Sequence, residues 1–220
     1  ASGTRGRAAS RRPGAPAERT GPSPSGRIGP AAQEAYLLGR VFWNKRTPES
    51  LGRSLEHFDQ AIKAEPAYAL AYAGIANVHI ALGAAPYEVV SPREALPKAR
   101  SAAQKALDID ETLGEAHTAR AYVSWVYVYD WGAAEKGFRR ALALAPGYAT
   151  AHQWYASFCE HQGRISEALT AIERARERDP LSLQVNTAVA YVLHYARDYD
   201  RAIEQGLKTL ALDPAFPAAH

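Results

Sequence analysis

Methionine is absent from the 220 residues, and cysteine occurs once, as Cys159. A single thiol excludes a disulfide framework, and with it the small stapled secreted domains; it also leaves no cysteine set for structural zinc. Long apolar runs are missing too. The longest near-apolar stretch, residues 121–129, falls far short of the roughly 20 residues that cross a bilayer. No signal-peptide pattern opens the sequence, and a chain that starts at Ala1 without methionine reads as a fragment or a processed product. Catalytic punctuation is equally scarce. There is no GxSxG, no Walker loop, no GxGxxG and no HExxH, so neither a nucleophile elbow nor a phosphate loop nor a zinc-protease helix is indicated.

Charge of one sign is confined to one end. Residues 1–30 hold six arginines (5, 7, 11, 12, 19 and 27) against one acid, Glu18. The other 190 residues carry 20 Lys+Arg and 22 Asp+Glu, so the basic pI belongs to the tail. That distribution argues against nucleic-acid binding by the folded part. The tail is built almost wholly of Ala, Gly, Pro, Ser and Arg, with Ile28 its only large aliphatic. Such a composition buries too little apolar area to offset backbone entropy, and it predicts a disordered basic linker over 1–30.

A regular period organises the rest of the chain. Ala145-Pro146, Asp179-Pro180 and Asp213-Pro214 stand 34 residues apart, twice. Glu65-Pro66 and Asp110-Glu111 end two earlier blocks, spaced by 45 and 35 residues. Within the block 147–180, small residues fall where two helices of a hairpin approach (Ala156, Ala168, Ala175), and Tyr155, Ile165 and Ile172 fill between them. Gly163 breaks the chain between the helices, since glycine reaches left-handed φ at little cost. Pro180 cannot continue the second helix. Thr47-Pro48-Glu49 and Ser91-Pro92-Arg93-Glu94 carry helix-start signals, the latter with capping-box spacing.

Spacing, small positions and helix stops together resemble the tetratricopeptide repeat (TPR), a helix–turn–helix unit of 34 residues. The resemblance implies an all-α fold, a right-handed α–α superhelix of about five hairpins. Its repeats would cover 31–66, 67–111 with an insertion at 84–94, 112–146, 147–180 and 181–214, with a sixth beginning at 215–220. The fifth departs from the pattern at Gly206 and Thr209, which predicts a looser second helix.

In this family the first helix of each pair lines a concave groove that takes an extended peptide or a partner helix. Carried over residue by residue, the groove positions are Tyr36, Arg40, Trp43 and Asn44, then Asn77, then Tyr122 and Trp125. They continue with Gln153, Ser157 and His161, and end with Tyr191, His194 and Tyr195. Aromatic and arginine side chains are frequent interface anchors. Tyr36 stands where chaperone-tail TPRs place a clamp lysine, so a hydrophobic or mixed peptide is the expected ligand rather than a carboxylate tail. Trp43, Tyr122 and Trp125 either bind or fill a tightly wound superhelix; period alone does not separate the two.

Residues 36–49 also resemble the opening repeat of arrays in bacterial multidomain regulators, as do Ala67 to Gly74 and Tyr129-Asp130-Trp131. In those proteins the array follows a winged-helix, Ser/Thr kinase or cyclase-like domain. The resemblance implies a non-enzymatic, cytoplasmic interaction scaffold serving a larger signalling protein. The alternative is that this is the non-catalytic part of such an enzyme or transcription regulator. A protein or peptide partner is expected, self-association through the last repeat is possible, and no cofactor or metal is expected. His117, His152 and His220 recur at one repeat position, which reads as structural, and His161 and His194 have no partner carboxylate at ligand spacing. Cys159 reads as a small buried apolar residue rather than a nucleophile.

Overall fold

The computed structural model describes residues 28–84 and 89–219. The expected linker lies outside the described residues from 1 to 27, as do Tyr87 in the insertion and His220. Ten α-helices follow one another, and no strand occurs among the described residues: α1 (Pro30–Lys45), α2 (Pro48–Ala64), α3 (Ala69–Gly83), α4 (Pro92–Ile109), α5 (Gly114–Val123), α6 (Trp131–Leu144), α7 (Ala149–His161), α8 (Ile165–Arg178), α9 (Leu183–Tyr195) and α10 (Tyr199–Leu212). They pair in order as five hairpins, each packing on the next.

The second helix of each pair is amphipathic. Helix α2 buries Leu51, Ser54, Phe58 and Ala61, and α6 buries Ala134, Phe138 and Ala141. Intervals of three and four residues put these side chains on one stripe. Helix α8 repeats the stripe with Ala168, Ala171, Ile172 and Ala175. Small residues dominate because two neighbouring helices press against it. Helix α3 is buried on nearly all sides, from Ala69 to Gly83. The closest approach is in the first two hairpins. A Cβ on Gly39 or on Gly74 would stand 2.6 Å from the Phe58 ring, so that ring is clasped between two bare backbones.

Four hairpins turn through one residue of left-handed backbone: Arg46 (φ 56°), Tyr129 (φ 60°), Gly163 (φ 73°) and Arg197 (φ 62°). Only Gly163 announces itself in the sequence. At the other three positions an L-residue accepts a conformation that costs it steric strain. A second recurring device closes the start of the first helices. His117 Nε2 lies 2.8 Å from the Glu111 carbonyl, and His152 Nε2 lies 3.0 Å from the Pro146 carbonyl. Asn186 Nδ2 donates to the Pro180 carbonyl at 2.8 Å. The two histidines thus fasten each hairpin to the loop before it, and asparagine does the same work in the fifth.

Local punctuation departs from expectation in two places. Thr47 forms a reciprocal capping box with Ser50, but Ser91 makes no side-chain cap. Glu94, the partner expected there, is held by Lys98 Nζ at 2.9 Å instead. After α5 the helix widens into a π turn, Ser124–Val128, before Tyr129 reverses the chain. Asp130 then caps α6 by accepting from the Ala133 N–H at 2.8 Å. In the fifth hairpin the second helix is sparsely packed, since α10 buries only Gln205 and Thr209, and a Cβ on Gly206 would meet open space. Ile203 and Leu207 on α10 are exposed, as are Leu37 and Val41 at the other end.

Candidate partner-binding cavity

The first helices lie on the inside of the coil, and the coil is wound tightly enough for distant hairpins to touch. Asn77 on α3 donates through Nδ2 to the Tyr148 hydroxyl, at the start of α7, at 3.0 Å. Between these turns sit two spaces that share Arg40, Trp43 and Tyr148 in their walls. The smaller, a narrow crevice, is walled by Tyr36, Arg40, Trp43, Asn77, Glu115 and Tyr148 among others. The larger, open to solvent, runs from the C-terminal end of α1 to the starts of α7 and α9. Arg40, Trp43, Asn44, Arg46, Gln153 and Arg178 line it, together with Leu181, Leu183 and Val185.

Tyr36, Trp43 and Arg46 are positioned by packing. The Tyr36 ring lies 5.7 Å from Phe58 and 5.2 Å from Tyr68, and its hydroxyl accepts from Arg40 at 3.2 Å. Trp43 is 6 % exposed, and the Arg46 guanidinium carbon sits 3.6 Å from the centroid of its ring. That stack is a cation–π contact shielded from water, worth about 2 kcal/mol in such settings. The indole N–H of Trp43 and the Asn77 Oδ1 are buried without hydrogen-bond partners. Burial pushes the Tyr148 hydroxyl above its usual range, so it stays neutral and available to Asn77.

Five of the thirteen expected groove residues line the cavities: Tyr36, Arg40, Trp43, Asn44 and Asn77, with Gln153 making a sixth from the facing wall. The others stand elsewhere. Tyr122 and Trp125 pack between the third and fourth hairpins, Tyr122 at 4.6 Å from Trp154 and Trp125 edge-on to Phe158 at 5.8 Å. His161 is exposed and lies 4.9 Å from Trp125, with its Nδ1 2.8 Å from the Ser157 carbonyl. Tyr191, His194 and Tyr195 are exposed on α9; His194 lies between the Tyr195 and Tyr199 rings, and the Tyr191 hydroxyl reaches the Ala218 carbonyl. Sequence reasoning did not single out Arg46, Arg178 or Tyr148. Arg46 lies in a turn and Arg178 at the end of a second helix, and a rule that looks only along first helices passes over both. Among the described residues no group of histidine, cysteine and acid side chains could hold a metal ion. Cys159 is fully buried, and burial raises its thiol pKa, the opposite of what a nucleophile needs.

Paired antiparallel helices, stacked in register around an inner cavity, define an α-solenoid of helical hairpins. Family comparison specifies which one: residues 129–190 match one tetratricopeptide-repeat model and residues 162–219 a second. Among solved structures the chain is similar to TTC0263, a TPR protein of Thermus thermophilus, at 17% identity and a TM-score of 0.64, covering 86% of this chain and 95% of that one. It is also similar to YrrB, described as a TPR protein with an unusual peptide-binding site (22% identity, 88% and 90% covered, TM-score 0.48). A third similar structure is MamA from Desulfovibrio magneticus RS-1 (15% identity, 87% and 99% covered, TM-score 0.47). No curated protein matches the chain. Residues 129–219 carry tetratricopeptide repeats, and the fold of the described residues is that of the TPR solenoids, an all-helical superhelix. No helix among the described residues is long and apolar enough to cross a membrane.

Proposed function

We propose that this chain is a non-enzymatic interaction scaffold that holds an extended peptide of a partner protein in the cavity between α1, α7 and α9. The observation that supports the reading is the cavity itself. It is open, mixes aliphatic and hydrogen-bonding walls, and includes Trp43, whose ring is held under the stacked Arg46 guanidinium. Preformed, partly apolar concavities with a few oriented polar groups are the usual form of a binding site. The likeness of residues 36–49 to the opening repeats of bacterial multidomain regulators supports placing the scaffold in a cytoplasmic signalling protein of that kind. Sequencing the coding DNA on both sides of the chain tests that placement.

The cavity is tested by selecting binders from a random displayed-peptide library against the full 220-residue chain. Asn44→Trp and Gln153→Trp put bulk into the open space from one exposed and one half-buried position. Both variants should keep the helical circular-dichroism signal and lose affinity for the selected peptides by about tenfold or more, which corresponds to about 1.4 kcal/mol. Peptides that bind the blocked variants as tightly as the unmodified chain would place the interaction elsewhere on the surface.

A further inference from the structure

The residues beyond the first 30 carry slightly more acids than bases, 22 against 20. The larger cavity reverses that balance. Arg40 reaches it from α1, Arg46 from the turn after α1, and Arg178 from the end of α8, while Asp179 is the single acid in its wall. The uncapped start of α7 faces the same space: Tyr148, Ala149 and Thr150 line it, and no side chain accepts from the first-turn amides. The positive end of a helix adds to the field of the guanidinium groups.

From this convergence of donors we infer that the cavity takes an acidic segment of a partner polypeptide, with carboxylate oxygens held by Arg40 and Arg178. The inference rests on the peptide-binding reading above and narrows it. Arginine suits the task because its planar fork offers paired donors to a carboxylate. Arg46 serves a different role: stacked on Trp43, it supplies fixed positive charge at the wall. The remaining wall, Leu181, Leu183 and Val185, gives the aliphatic parts of a chain a dry surface. A free inorganic anion would use the arginines and leave the aliphatic wall uncovered. The conclusion differs from the hydrophobic or mixed ligand expected from the sequence, because two of the three arginines lie outside the first helices.

The test is calorimetric titration of the full chain with acetylated hexaglutamate, with acetylated hexaglutamine and with inorganic phosphate as separate probes. Hexaglutamate should bind and weaken between about 50 and 200 mM salt, as a screened interaction must. Arg178→Gln, at an exposed position, and Arg40→Gln should each reduce its affinity roughly tenfold to a hundredfold. Arg140→Gln, exposed on α6 and outside the cavity wall, should leave it unchanged. Equal binding of hexaglutamine, or equal loss with Arg140→Gln, overturns the inference. So does phosphate that displaces hexaglutamate at matching concentration, since the site would then be one for free anions. If hexaglutamate fails while library-selected peptides still occupy the cavity, the acidic ligand is wrong and the peptide site stands. If neither binds, both fall.

Discussion

Phe58→Ala is expected to cost the array about 3–5 kcal/mol, the range for emptying a fully buried aromatic site. In a chain of this size that lowers the thermal midpoint by roughly 10 °C. The ring is completely buried and stands between Gly39 of α1 and Gly74 of α3. The two glycines sharpen the prediction. Alanine within a helix normally stabilises by about 1 kcal/mol over glycine. Here a Cβ at either position would stand 2.6 Å from ring carbons that have nowhere to go. Gly39→Ala and Gly74→Ala should therefore each destabilise, by about 1–3 kcal/mol as overpacking does. In the Phe58→Ala background the same two changes should reverse sign and stabilise. Denaturant melts of the four-variant cycle for each glycine measure this coupling. Simple additivity would show that the clasp relaxes freely and that the ring does not set the helix spacing.

Raising the pH from 4.5 to above 7 is expected to remove up to about 3 kcal/mol of stability through one residue, Glu160. Its side chain is 4 % exposed on α7, and burial raises its carboxyl from 4.5 to about 7, partly offset by His161, whose Nδ1 lies 3.8 Å from Oε1. Between those two values the folded chain holds a proton that the unfolded chain has released. Stability therefore falls as pH rises through the window and is level beyond it. Glu160→Gln should erase this fall and leave the chain more stable than the unmodified protein at pH 8. Three histidines act in the opposite sense. Burial lowers His79, His117 and His152 below their usual 6.5, so their contribution is lost as pH falls below 6.5. The difference between the melting profiles of the two chains isolates Glu160, because both chains share the histidines. A difference that stays constant across pH 4.5 to 8 would show the carboxylate to be solvated in the folded chain.

Much of the architecture is written in the sequence because hairpin packing is local and repetitive. Ala156, Ala168 and Ala175 are small since each faces a neighbouring helix, and each is fully buried. Gly163 signals its turn by its own backbone freedom, whereas Arg46, Tyr129 and Arg197 adopt the same geometry with nothing in their identity to show it. The π turn at Ser124–Val128 is equally silent, being one extra residue per turn rather than a residue type. The cavity was legible only in part, for a physical reason. Position in the repeat says which side chains face inward, but not how tightly the coil winds. Winding decides that Tyr122 meets Trp154, and that Arg178 and Arg46, far apart in sequence, share one space.

The Asn77–Tyr148 hydrogen bond has a consequence for how the array comes apart. A stack whose units touch only their neighbours can melt from an end, one hairpin at a time. Here a bond joins residues 71 positions apart, from the second hairpin to the fourth. Fraying that reaches the fourth hairpin must break a link anchored in the second, so the inner turns share one fate. The same link adds to the packing of successive first helices that sets the pitch of the coil. Were it severed, the molecule could lengthen like a released spring, and the cavity walls would part while every individual hairpin stayed folded.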